Sequence, residues 1–162
     1  MVTTHLGHAS RRRAGYTLVE TLLVISIIGI LAATAAPRLA RLKDQAQLTG
    51  ATTRFHRAIT TARQSAIQRG RRAYFRHNAN WIWVIVDTTA ADSVIVLPRY
   101  NIYDQYGVEV VYPSGVSTIE YDPRGVSTQS TKQAFAFKHT NSGTVDSLCV
   151  SRLGNTIRDR CP

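Results

Sequence analysis

From Thr17 to Pro37 nearly every position is apolar, and the only charge is Glu20. About twenty such residues, wound as a helix, are enough to cross a bilayer. Beyond Pro37 the apolar positions become periodic. Leu39, Leu42 and Ala46, then Phe55, Ile59, Ala62 and Ala66, recur at spacings of three and four, the stripe of an amphipathic helix. Gly50 interrupts the stripe, and Gly70 ends it within Arg69-Gly70-Arg71-Arg72. The pattern predicts one helix from the apolar run to about residue 69, kinked at Pro37 because proline lacks the amide hydrogen and crowds the preceding turn.

After Gly70 the period shortens. "AYF", "WIWVIVD", "SVIVL", "VEVVY", "STIEY", "AFAFK" and "SLCVS" are short β-branched or aromatic runs. Turn residues separate them, among them Asn78, Pro98, Pro113-Ser114-Gly115, Asp122-Pro123-Arg124-Gly125 and Asn141-Ser142-Gly143. Short strands on short connections form an antiparallel sheet. A long helix followed by such a sheet is an α+β arrangement, the second half of the helix lying on the sheet domain.

Charge changes the picture at the N-terminus. The chain of 162 residues carries a formal +10, from 17 Arg and 3 Lys against 10 acids. That balance suits phosphate, anionic lipid or an acidic partner, and it does not bear on fold. Residues 1–15 hold Arg11, Arg12 and Arg13 and no acid. Basic residues before an apolar span place the N-terminus in the cytoplasm and the remainder outside. A secretory signal cut after Ala35, in Ala33-Thr34-Ala35, a plain signal anchor and a twin-arginine signal all share this outline.

Glu20 argues against all three. A carboxylate in lipid costs about 2.5–3.5 kcal/mol on insertion scales, so one that persists has a partner or a task. A cut between Gly15 and Tyr16 would create an α-amine one helical turn from Glu20. The same amine on a neighbouring copy could pair with it and fix the stagger between packed spans.

The basic leader, Gly15-Tyr16-Thr17-Leu18-Val19-Glu20 and Pro37 resemble the class III signal of type IV pilins and type II secretion pseudopilins. "ARQSAIQRGRRAYF" with "WIWVIVD", and "IEYDPRG" before the last strands, resemble the GspH/FimT group of minor pilins and pseudopilins. The resemblance implies cleavage after Gly15 by prepilin peptidase, N-methylation of Tyr16 in place of the more usual Phe, and assembly through Glu20 and Pro37. It implies the pilin fold, with a leader at 1–15, a transmembrane or filament-core helix at 16–37, an amphipathic helix at 38–70 and a periplasmic head at 71–162. It also implies a structural subunit in the bacterial inner membrane, single-pass, whose partners are the peptidase and the other pilins of a pilus or pseudopilus.

Cys149 and Cys161 are the only cysteines, 12 positions apart, with no Cys-x-x-Cys and no histidine-rich tract. With an export signal upstream, the reading is a disulfide closing a terminal loop, for which chain entropy gives about 3 kcal/mol. No GxSxG, HExxH, phosphate-binding glycine loop or EF-hand loop is present. His56, His77 and His139 are scattered, and Asp87, Asp92 and Asp104 form no calcium loop. The chain is read as a non-enzyme with no cofactor and no metal.

Three basic features remain. Arg38, Arg41, Lys43, Arg54, Arg57, Arg63 and Arg69 read as a solvated face of the stem, with Arg38 and Arg41 near membrane phosphates. "RYNIYDQY" sets Tyr100, Tyr103 and Tyr106 beside Arg99 in a loop. Such rings can stack on bases, but the favoured reading is anchoring to the loop's own core or a contact with another subunit. In the tail, Arg152, Arg158 and Arg160 would be gathered by the Cys149–Cys161 loop into a cationic tip suited to phosphate. FimT-like proteins with a Gly-Arg-x-Arg tail make DNA binding the alternative function. Here Asn155 follows Gly154 and Asp159 separates the late arginine pair. Removing the leader takes three of the positive charges, leaving +7.

Overall fold

A computed structural model of the chain describes residues 15–89, 92–112 and 117–158. Arg11, Arg12, Arg13, Arg160, Cys161 and the Pro113-Ser114-Gly115 turn lie outside the described residues. The described chain divides into two compact units at Leu39/Ala40.

Helix α1 runs from Leu18 to Arg69 with Pro37 inside it. In the first unit its apolar side chains, Leu18 through Leu31, are all exposed. In the second unit the stripe takes hold only from Leu48. Leu48, Ala51, Thr52, Phe55, Ala58, Ile59, Ala62, Ser65 and Ala66 are buried, whereas Leu42 and Ala46, like Leu39 at the end of the first unit, remain exposed. The helix passes through Gly50 unbroken. It ends in a Schellman motif, with Arg71 N donating to the Ala66 carbonyl, Gly70 N donating to that of Ile67, and Gly70 at φ +60°.

The head contains two antiparallel four-stranded sheets, a refinement of the one sheet expected. The first consists of β1 (Ala73–Asn78), β2 (Trp81–Asp87), β3 (Ser93–Asn101) and β5 (Thr118–Tyr121), in the order β3-β2-β1-β5. The second consists of β4 (Val108–Val111), β6 (Gln133–His139), β7 (Val145–Val150) and β8 (Thr156–Arg158), in the order β4-β6-β7-β8. Strand β8 lies in what the sequence suggested was a terminal loop. Helix α2 (Ile102–Tyr106) replaces the expected tyrosine loop. Asn101 caps its start by accepting from Tyr103 N, and Gly107, at φ +62°, closes it.

Phe55 of α1 ties both sheets together. Its ring centroid lies 5.0 Å from Phe75 of the first sheet, and 4.8 and 5.1 Å from Phe135 and Phe137 of the second. The β1–β2 turn adds a polar clasp between the sheets. Asn80 accepts from Val110 N through its side chain and from Ile102 N through its carbonyl, both at 2.9 Å. Tyr112 donates its hydroxyl to the Ala79 carbonyl while its ring stacks on His77 at 4.1 Å. Burial raises the Tyr112 phenol far above its ordinary range, so it acts as a donor throughout.

Candidate functional site

The start of α1 has two layers of chemistry. Gly15 and Tyr16 are exposed and precede the helix. Thr17 caps it: its Oγ1 accepts from Glu20 N at 3.2 Å, and its carbonyl accepts from Thr21 N at 3.2 Å. Thr17-Leu18-Val19-Glu20 therefore has the spacing of a capping box, with Glu20 at the third helical position. A carboxylate there also faces the positive end of the helix dipole. The Thr-x-x-Glu spacing is a local signal that the sequence itself carries.

The following span suits an apolar solvent. An 18-residue window has mean hydropathy 2.3 and none of it is buried within the chain. Its hydroxyls turn inward: Thr21, Ser26 and Thr34 donate to the carbonyls of Leu18, Leu22 and Leu31. Without water, each polar group needs such an internal partner.

The stem arginines are not one solvated face. Arg38, Arg41, Lys43, Arg57 and Arg69 are exposed, but Arg63 donates to Asn155 Oδ1 at 2.7 Å. Arg54 lies over the Tyr100 ring, its Cζ 4.6 Å from the centroid. Burial raises the Tyr100 phenol above its ordinary range, and its hydroxyl donates to Gln105 at 2.8 Å. Tyr106 packs on Gly50, where a Cβ would lie 2.7 Å from the ring, so the interruption of the stripe is the seat of an aromatic side chain. An open cleft of about 740 Å³ lies here, lined by residues including Thr49, Thr53, Arg54, Arg57, Tyr100 and Gln105.

Arg99 does not join the tyrosines. It stacks on Trp83 at 4.8 Å, and Arg76 stands opposite Trp83 on β1. The chain's two tryptophans thus belong to the outward face of the first sheet, where Trp81 is 44% exposed. The alternation in "WIWVIVD" carried that signal, since the two tryptophans share one face and Ile82, Val84 and Val86 the other.

Of the tail arginines, Arg152 and Arg158 lie among the described residues. Arg152 is exposed in the β7–β8 turn. Arg158 ends β8 and pairs with Asp146 at 3.5 Å, a carboxylate that also accepts from Thr52 at 2.8 Å. Cys149 is buried on β7 and Arg160 and Cys161 lie outside the described residues. Among the described residues no three of His, Cys, Asp and Glu gather as metal ligands.

The long helix and its two-sheet head form the pilin fold. The chain is similar to the type IV minor pilin FimU of Pseudomonas aeruginosa in two crystal forms. One aligns with TM-score 0.60 and 13% identity over 74% of this chain and 92% of FimU. The other aligns with TM-score 0.55 and 14% identity over 70% and 93%. No curated protein matches the chain. The prokaryotic N-terminal methylation motif matches residues 10–36. The family described as type II transport protein GspH matches residues 51–154, and the chain belongs to that family.

Proposed function

We propose that the chain is a minor pilin-like structural subunit of a type II secretion pseudopilus or type IV pilus. The carrying observation is an apolar helix, uncovered in its own chain and opened by Thr17 and Glu20, that leads into a pilin head. Prepilin peptidase cuts after Gly15 and methylates Tyr16. The subunit is then held in the bacterial inner membrane with its head in the periplasm until other pilins take it up. In the filament, Glu20 pairs with the Tyr16 amine of a neighbour and the spans pack side by side up to Pro37. A disulfide between Cys149 and Cys161 fixes the tail in the oxidising compartment. The test is the mass and N-terminal sequence of the protein from its native membrane together with filament incorporation. A start at methylated Tyr16 and loss of incorporation in Glu20→Ala support the reading. A start at Ala36, or normal incorporation of Glu20→Ala, overturns it.

DNA binding at the tip is the second reading, supported by the exposed Arg152 and the mature charge of +7. The Asp146 partner of Arg158 weakens it. A salt-sensitive shift of duplex DNA by the full chain in detergent, lost in an Arg152 and Arg160 double substitution, supports it, and no binding at low salt sinks it.

A further inference from the structure

The cleft between α1 and α2 presents hydrogen-bond donors and cations, and no acid lines it. The acids closest to it in sequence are engaged elsewhere: Asp44 lies 3.7 Å from His139, and Asp104 accepts from Asn101 at 2.7 Å. Arg54 is half-buried here, and no carboxylate among the described residues pairs with it. Its guanidinium is positioned by the Tyr100 ring, while its Nε is buried and has no hydrogen-bond acceptor. The terminal Nη groups of a guanidinium offer N–H donors that match the two oxygens of a carboxylate.

We propose that this cleft receives an acidic polypeptide segment of another subunit, whose carboxylate pairs with the terminal guanidinium nitrogens of Arg54 while Arg57 at the exposed rim attracts it. The inference rests on the reading of the chain as a filament subunit. Charge complementarity favours an acidic partner, because Arg41, Lys43, Arg54 and Arg57 share the neighbouring stem with Asp44 alone. The rings favour polypeptide over single-stranded nucleic acid. One face of Tyr100 is covered by Arg54 and an edge of Tyr106 lies against Gly50, which reduces the ring surface on which a base could stack.

The test uses the full chain in nonionic detergent, titrated at low salt with fluorescent hexaglutamate and, separately, with fluorescent oligothymidylate. Hexaglutamate should bind in preference, and Arg54→Lys, which keeps the charge and removes the fork, should weaken it about tenfold. Arg57→Gln, at an exposed position where the fold is not at stake, should weaken it by about threefold. Absence of hexaglutamate binding overturns the proposal. Equal affinity in both variants and the wild type overturns it too, as a diffuse attraction to the basic surface. Tighter oligothymidylate binding that is lost in Arg54→Lys assigns the cleft to nucleic acid and also overturns it. Because the titration involves the isolated chain, its failure leaves the Glu20 incorporation test untouched.

Discussion

Tyr121 donates its hydroxyl to the carbonyl of Gly154 at 3.2 Å, and a Cβ at Gly154 would lie 2.4 Å from Cε1 of the same ring. The contact joins the end of the first sheet to the β7–β8 turn of the second. Gly154 also holds φ +80°, where a side chain is strained. Gly154→Ala should therefore destabilise the head by about 2–4 kcal/mol, from overpacking and backbone strain together. Denaturant unfolding of the full chain in detergent, followed by tryptophan fluorescence, measures it. A change under half a kcal/mol would contradict the packing described.

The same tyrosine gives the head an alkaline limit. Burial pushes the Tyr121 phenol from 10.0 up to about 12. A raised folded value means the stabilisation is fully present below pH 10 and is lost as pH rises towards 12. The loss should be on the order of 2 kcal/mol for this group. Tyr121→Phe removes the titration, so its stability should fall less steeply over that window, at the expense of about 1 kcal/mol at neutral pH for the hydrogen bond. Parallel pH profiles for the two proteins would refute the assignment.

Much of this architecture was legible in the chain. The apolar run, the stripe from Phe55 to Ala66, the Gly70 stop and the Asp122–Gly125 turn all depend on local chemistry, and the structure places them there. In that turn Asp122 accepts from Val126 N and Arg124 N, which holds its carboxyl below the usual range. The division into two sheets was not legible, because β4 passes over its successor β5 to pair with β6. Nothing local in Val108–Val111 selects that partner. The β8 run, Thr-Ile-Arg, is too short to show a period. The partners of Arg54 and Arg158 were not legible for the same reason: they come from β3 and β7, which no spacing along α1 or the tail reveals.

Gly50 offers a substitution whose sign should reverse with context. Alanine is favoured over glycine inside a helix by about 1 kcal/mol. Here, however, its Cβ would lie 2.7 Å from the Tyr106 ring. Gly50→Ala should destabilise the wild-type head by about 1 kcal/mol, because Tyr106 must leave its seat. In a Tyr106→Ala background the same change should stabilise by about 0.5–1 kcal/mol. A double-mutant cycle reads this directly, and additivity of the two substitutions would show that ring and glycine do not touch.

Glu20 has two candidate tasks, and glutamine separates them. As the third helical residue after Thr17, it holds the capping-box position, which takes Glu or Gln alike. As the partner of a neighbour's amine, it needs its charge. Glu20→Gln should leave the helix start intact by circular dichroism and proteolysis of the detergent-solubilised chain, yet fail to enter filaments as Glu20→Ala does. Thr17→Ala should show the opposite behaviour, weakening the helix start by about 1 kcal/mol while leaving incorporation in place. Efficient incorporation of Glu20→Gln would reduce Glu20 to a cap, and the register between subunits would then have to come from the apolar side chains between Leu18 and Leu31.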